Sequence, residues 1–301
     1  MSRIVSSVRE ALSREDARAL YVGFSGGLDS TALLLAVHQA IQGSVGLGLI
    51  ALHVDHQLQA ESAAWDAHCA EVCRSLHVGY HSAAVAVDGN GNLEANAREA
   101  RYGFFASQIS TGGVLLLAHH LDDQVETVLL RLFQGRGFTP MAASGGHHGL
   151  RILRPLLGFS KEQLSEYVTG AGYAWIDDAS NEDLSFDRNY LRGSVIPHLK
   201  ARFDGFDGSI VRTAAIHGAL TRLVARQLGE NLLVSALPED EIEAQVLLRM
   251  WLARRDVYAV TDRALAEFVA QIRRGDAAAI DLPEGRQLMR SGDRVDLSER
   301  G

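Results

Sequence analysis

The sequence predicts an α/β chain. A doubly wound parallel sheet comes first, over residues 1–203, and a smaller, mainly helical domain ending in short strands follows over 204–301. Apolar runs at 19–24, 49–54, 80–87 and 114–118 alternate with helical periodicities at 30–42, 62–76, 93–108 and 121–133. Such alternation builds a parallel sheet covered on both faces, with its ligand at the carboxyl ends of the strands. After Phe203 the string Asp204-Gly205-Phe206-Asp207-Gly208 opens a different pattern, with helical periodicity at 209–234, 240–254 and 262–273. The tail from 279 to 297 reads as short strands broken by Pro283-Glu284-Gly285 and Ser291-Gly292-Asp293. A length of 301 residues suits two domains, and 47% hydrophobic content supplies their cores.

The first strand runs directly into Ser25-Gly26-Gly27-Leu28-Asp29-Ser30, which opens onto the apolar run 32–37. Paired glycines let backbone approach an anion closely, the helix that follows aims free N–H groups at it, and Ser25 and Ser30 add hydroxyls. No lysine follows the last glycine, so the Walker pattern is excluded. An acid inside a phosphate loop has a reason in magnesium, which bridges phosphates and takes carboxylate ligands. An ordinary strand-to-helix turn with Asp29 near the helix start is the competing reading. The full string resembles the SGGxDS loop of the PP-loop ATP pyrophosphatases, which split ATP into AMP and pyrophosphate. A second glycine pattern, Gly46-Leu47-Gly48, precedes a strand instead of following one and is set aside.

The second strand ends in His53-Val54-Asp55-His56, at the edge where a parallel sheet meets its ligand. Nucleotide contact through His53 is the favoured reading over a zinc site, which would need further ligands at suitable spacing. In the next helix Cys69 and Cys73 share a face with Trp65, Val72 and Leu76, which makes them core residues and not a redox pair.

In the helix over 93–108, Arg98 and Arg101 stand beside the apolar stripe of Leu93, Ala97, Ala100 and Phe104, with Glu94 four residues before Arg98. Planar guanidinium forks grip phosphate oxygens, while surface ion pairing is the plainer alternative. The fourth strand leads into His119-His120-Leu121-Asp122-Asp123-Gln124-Val125-Glu126. Asp122 and Glu126 share a helix face, and adjacent acids at a ligand edge hold a cation, either magnesium or a cationic amine that later loses a proton. Helix-dipole stabilisation accounts for Asp122 and Asp123 equally well, but not for the two histidines.

The formal charge of −8 argues against a globally basic nucleic-acid binder. Between Thr127 and Lys161, however, there is no acid, while Arg131, Arg136, Arg151 and Arg154 are present with His147 and His148. A basic band on an acidic protein suits a polyanion docked at one place, with a solvated basic loop as the alternative. Ser160 and Gln163 have the spacing of a capping box that starts a helix running to about Gly170. No apolar run reaches membrane-spanning length and no signal-peptide core is present, so a cytoplasmic protein is expected, with no membrane partner.

Taken together, the loop 25–30, the Glu94…Arg98…Arg101-Tyr102 helix and the string 118–127 closely resemble the tRNA(Ile)-lysidine synthetase family. The likeness continues through Arg154-Pro155-Leu156-Leu157, Trp175-Ile176-Asp177-Asp178, Ser180-Asn181, Asp187-Arg188-Asn189, Arg192 and Ile196-Pro197. It departs at Asp55 and Gln57, where the family carries Asn and Gly, and at Gln134-Gly135-Arg136-Gly137, where the family commonly has Arg-Gly-Ser-Gly. The resemblance implies a PP-loop (HUP-like) fold in a short form without a second C-terminal domain. It also implies a ligase that joins L-lysine to carbon 2 of the wobble cytidine in an isoleucine tRNA with a CAU anticodon, consuming ATP with magnesium and releasing AMP and pyrophosphate. On that reading Ser25, Gly26, Gly27, Leu28, Asp29, Ser30 and His53 hold ATP, and Asp29 and Asp123 hold magnesium. Asp122 or Asp123 orients the lysine ammonium and accepts its proton, Arg98 and Arg101 neutralise phosphate charge, and His119 positions or shuttles. Arg136, Arg151, Arg154, Arg188 and Arg192 grip tRNA. Another PP-loop tRNA-modifying enzyme such as a thiolase, and a non-catalytic nucleotide- or tRNA-binding module, are the rival readings, and a homodimer remains open.

Overall fold

The computed structural model describes residues 2–44, 46–55, 62–85, 93–177, 184, 186–255, 257–258, 260–282 and 285–299. Of the sequence features above, His56, Gln57, Asp178, Ser180, Asn181, Pro283, Glu284 and the side chains of Leu93 and Glu94 lie outside these. The chain divides into two compact units, one formed by Met1–Gln124 with Ala142–Asp183, the other by Val125–Met141 with Leu184–Gly301.

The first unit contains the parallel sheet. Its elements are α1 (Arg3–Leu12), β1 (Ala19–Gly23), α2 (Leu28–Ala40), β2 (Gly48–Asp55), α3 (Ser62–Leu76), β3 (Gly79–Ala84), α4 (Leu93–Gln108) and β4 (Gly113–Leu116). Then come the start of α5 (Leu121–Phe133), β5 (Ser144–His147), β6 (Leu150–Leu153) and α6 (Lys161–Gly170). Among the described residues the sheet has six strands in the order β3-β2-β1-β4-β6-β5, and β5 is antiparallel to β6 while the other pairs are parallel. The four strands and four helices expected from periodicity are present, the third strand as far as Ala84 with residues 86–87 outside the described residues, and the β5–β6 hairpin is an addition. Its strands are four residues each with Gly145 and Gly146 in the first, too short and too glycine-rich to stand out as strands in the sequence.

Alternate strand residues point to opposite faces, and each face has its own core. Leu20, Val22, Ala51, Leu116 and Leu153 pack with residues of α1, α2, α3 and α6. Tyr21, Leu52, Leu115 and Ile152 pack with Tyr102 and Phe105 of α4. Helix α2 is apolar on nearly every side because it is enclosed between α1, α6 and the sheet, and Leu33, Leu34 and Leu35 are buried, each contributing about 1.5–3 kcal/mol. The expected capping box is present at α6: Ser160 Oγ accepts from Gln163 N–H and Gln163 Oε1 from Ser160 N–H.

Strands β1, β2 and β3 run outward in one direction, and the chain then returns through α4, on the other face, to place β4 beside β1. The topological switch point therefore lies between β1 and β4, and the turns leaving those strands carry Ser25 and His119.

The second unit comprises the remainder of α5, α7 (Asp187–Tyr190), a π-helical turn Leu191–Val195, α8 (Ile196–Arg202), α9 (Phe206–Ala225), β7 (Leu232–Leu233), α10 (Glu241–Ala253), α11 (Asp262–Arg274), β8 (Ala279–Leu282), β9 (Arg286–Ser291) and β10 (Arg294–Glu299). An antiparallel sheet in the order β7-β10-β9-β8 shares a core with α10 and α11 through Leu248, Trp251, Leu265, Phe268, Leu288 and Val295. The expected helix over 209–234 ends earlier, at Ala225. Leu232 continues the apolar spacing but belongs to β7, where it pairs with Val295 and is buried in that core.

Candidate functional site

Strand β1 delivers Ser25 to the sheet edge, and the backbone then turns through Gly26 at φ 82°, a left-handed conformation that glycine adopts freely. A Cβ there would also sit 2.8 Å from Cys69 Sγ and 3.1 Å from Ile176 Cδ1, so the turn is closed from below as well as strained. Ser30 Oγ ties the loop together, donating to the Gly27 carbonyl at 3.0 Å and lying 3.1 Å from Ser25 Oγ. Gly27 is the N-cap of α2 and has no side chain to cap it, which leaves first-turn N–H groups for an anion. The Leu28 side chain is part of the core, so its contribution to such a cradle is its backbone.

The turn after β4 brings the acids. His120 is 3% exposed, and its Nε2 lies 3.4 Å from Asp29 Oδ2 and 3.5 Å from Asp123 Oδ2. Its Nδ1 lies 3.3 Å from Asp122 Oδ2. Burial alone would lower the imidazole pKa, but hydrogen bonds to Asp122 and Asp29 and the nearby Asp123 charge reverse that and lift it to about 10. That shift favours the protonated ring, whose Nδ1 lies 3.3 Å from Asp122 Oδ2 and also 3.3 Å from the Asp122 backbone nitrogen. Asp123 Oδ2 also accepts from His120 N–H at 3.0 Å, and Asp122 Oδ2 from Lys161 N–H at 3.0 Å, so the cluster is anchored to the starts of α5 and α6.

Three carboxylates face one imidazole, and Asp29 Oδ1 is shielded from solvent with no hydrogen-bond partner among the described residues. An excess of carboxylate oxygen with one atom unsatisfied fits a hard divalent cation such as magnesium. His120 is the member that sequence reasoning missed in favour of His119. The signal was parity: after a strand, adjacent residues point opposite ways, and only one of two neighbouring histidines can face the loop.

The other expected residues fall elsewhere. His53 is buried under the loop, its Nδ1 2.9 Å from the Phe24 carbonyl, so it supports the cradle from inside the sheet. Arg98 is exposed, donates from Nη2 to Tyr102 Oη at 3.3 Å and lies over that ring. Arg154 is near the same tyrosine: burial lowers its pKa, and the Arg98 charge adds to that. Arg101 is exposed one turn before Phe105. Arg154 Nη1 also donates to the Ala142 carbonyl at 3.0 Å, and Arg151 pairs with Glu15 and with the Asp16 carbonyl.

In the second unit Arg136 is exposed, whereas Arg188 and Arg192 both hold Glu126. Glu126, expected beside Asp122 at a cation site, is instead wholly buried with Oε2 2.6 Å from Arg188 Nε and Oε1 2.7 Å from Arg192 Nε. Cys69 and Cys73 are buried in the first unit's core, as expected, and burial pushes both thiols up to about 12.

A parallel α/β domain with an anion cradle after its first strand and carboxylates at its switch point defines a nucleotide-binding protein of the doubly wound class. A family model described as a PP-loop domain matches residues 1–199, and the chain belongs to the PP-loop ATP-binding family. It is 41% identical over 207 residues to the tRNA(Ile)-lysidine synthase of Pseudomonas syringae pv. tomato, covering 68% of this chain and 46% of that protein. To the tRNA(Ile)-lysidine synthase of Escherichia coli O157:H7 it is 39% identical over 246 residues, covering 79% and 56%. To that of Haemophilus influenzae (strain PittGG) it is 33% identical over 286 residues, covering 89% and 66%. The chain thus spans about half to two thirds of the length of these curated relatives. Among solved structures it is similar to the U34-tRNA thiolase NcsA of Methanococcus maripaludis, with a TM-score of 0.59 at 15% identity, over 70% of this chain and 76% of that one. That likeness concerns the fold alone. No described helix is long and apolar enough to cross a membrane.

Proposed function

We propose that this protein is a tRNA-modifying ligase that uses ATP to adenylate carbon-2 oxygen of the wobble cytidine in an isoleucine tRNA with a CAU anticodon, then joins L-lysine to that carbon. The observation that carries the reading is the Asp29, Asp122, Asp123 and His120 cluster set against the Ser25–Ser30 loop at the switch point. The similarity to tRNA(Ile)-lysidine synthases over most of this chain supplies the substrate class.

In this scheme the α2 N–H groups, Ser25 and Ser30 hold the ATP phosphates. Asp29 and Asp123 would hold magnesium, which supplies charge neutralisation on the departing pyrophosphate. Arg98 and Arg101 offset negative charge that develops at the α-phosphate, where fixed positive groups contribute much of the rate. Adenylation makes the carbon-2 oxygen a good leaving group. A carboxylate of the pair Asp122 and Asp123 orients the lysine ε-ammonium and takes its proton, and the freed amine attacks carbon 2 and displaces AMP. His120 offsets part of the repulsion among the acids, and its raised pKa favours retention of its own proton. An anticodon loop offers its cytidine unstacked at small cost. Exposed Arg136 is the basic-band residue best disposed to meet tRNA backbone, in the cytoplasm where tRNA is modified.

The thiolase reading is disfavoured by the two buried cysteines, since a thiol raised to about 12 supplies little thiolate. The test is to incubate purified protein with isoleucine tRNA, ATP and labelled lysine, and to follow AMP release and the mass of the anticodon fragment. Asp29→Ala should abolish both while leaving the thermal melt intact, and tRNA-dependent AMP release surviving in that variant overturns the assignment.

A further inference from the structure

We propose that Glu99, His147 and His148 form a binding site for one borderline transition-metal dication, of which zinc is the type. One ligand atom from each of the three lies within 4.8 Å of the others, and Glu99 Oε2 is 2.9 Å from His148 Nε2. Metal bonds of roughly 2.0–2.2 Å in a tetrahedral site place donors about 3.3–3.5 Å apart, so closure needs only small side-chain rotations. Both Glu99 and His148 have room to make them, with side chains 58% and 42% exposed.

The backbone builds this arrangement in a specific way. Strands β5 and β6 are joined by His148 and Gly149 alone, at φ 50° and 74°. Two successive positive φ values are those of a two-residue hairpin turn of the I′ kind, whose first position ordinarily goes to Asn, Asp or Gly. In an extended strand His148 would point away from His147. In the turn its ring comes back to lie 4.3 Å from that of His147, edge-on at 77°. Tyr102, nearly fully buried, backs both rings, at 4.4 Å from His147 and 6.1 Å from His148. Glu99 reaches the pair from α4, three residues before Tyr102 on the same helix.

Two imidazoles and one carboxylate form a three-ligand set that leaves a fourth position to water, and nitrogen donors favour zinc, nickel or cobalt over magnesium. The chemistry therefore differs from the carboxylate-rich cluster at Asp29, and the two sites should select different metals. A metal here would fasten α4, with Arg98 and Arg101, to the hairpin tip. An exposed ion pair between His148 and Glu99 is the competing explanation, but such pairs add little stability.

The test uses chelator-treated full-length protein titrated with zinc chloride by calorimetry, with a thermal melt at saturation. One equivalent binding at micromolar or tighter affinity, with a raised melting temperature, is the expected result. His148→Ala, His147→Ala and Glu99→Gln should each weaken binding more than about tenfold, since even a group that only supports a ligand is worth that much. His198→Ala, at an exposed histidine elsewhere, should leave it unchanged. The melt of each metal-free variant shows whether it folds. Absence of saturable binding, or equal loss in His198→Ala, overturns the proposal, as does binding that survives in the Glu99 and His148 variants.

Discussion

Helix α5 takes part in two charged clusters of opposite design. At its start Asp122 and Asp123 join Asp29 around His120, three carboxylates against one imidazolium. Four residues on, Glu126 meets Arg188 and Arg192, one carboxylate against two guanidiniums. Glu126 is satisfied by a planar fork with Nε and Nη2 of Arg192 at 2.7 and 2.9 Å and by Arg188 Nε at 2.6 Å, and it is itself fully buried. The Asp29 cluster instead sets three carboxylates about one imidazole and, among the described residues, leaves Asp29 Oδ1 without a hydrogen-bond partner. Closed, saturated charge pairs hold structure, whereas charge left over at a strand edge is available for a ligand. Acids of similar spacing and type thus have different roles, and the difference lies in what faces them.

The contrast is broken most directly at Glu126. Glu126→Gln should cost about 3 kcal/mol by removing the buried carboxylate that both guanidiniums hold, somewhat less than for a fully buried pair because the arginines are 32% and 38% exposed. Urea unfolding measures it, and an unchanged midpoint would remove the structural role.

Next in size is a pH effect at His120. Its pKa is raised above the unfolded value of 6.5 to about 10, so its stabilisation is complete below pH 6.5 and is lost as pH rises towards 10. The loss should be on the order of 2 kcal/mol across that window, allowing for screening by solvent around Asp29. His120→Asn should flatten this part of the pH–stability curve, and parallel curves for the two proteins would refute the imidazolium.

Asp122→Ala should cost about 1 kcal/mol, because Asp122 also accepts from the Lys161 N–H at the start of α6. Smallest in stability is Asp29→Asn, expected to cost at most about 0.5 kcal/mol, because the weakened His120 contact is offset by reduced carboxylate crowding. In activity the order reverses: Asp29→Asn should abolish AMP release that Glu126→Gln, assayed well below its melting temperature, retains in part.

Much of this fold was legible because periodicity is a local property. Runs of apolar residues at strand and helix spacing located β1 to β4 and α2 to α5, and Ser160 with Gln163 announced the α6 cap. The β5–β6 hairpin and β7 were not legible, because glycine-rich or two-residue strands carry too few side chains to show a period. At the candidate site the loop 25–30 and the pair Asp122, Asp123 stood out, since backbone freedom and acids beside a strand have few other reasons to coincide. Choosing His120 over His119, separating Glu126 from Asp122, and finding Arg188 and Arg192 already engaged all required knowing what each side chain faces.

The sequence by itself determined the order of elements, the glycine loop and the carboxylates at the ends of β1 and β4, because each depends on neighbours a few residues apart. The tertiary structure alone decided which acids hold a structural partner and which share an imidazolium. Asp29 and His120 are 91 positions apart in the chain and meet only because α4 returns it to set β4 beside β1. Charge interactions fall with distance through space, not along the sequence, so their partners exist only once the sheet has formed.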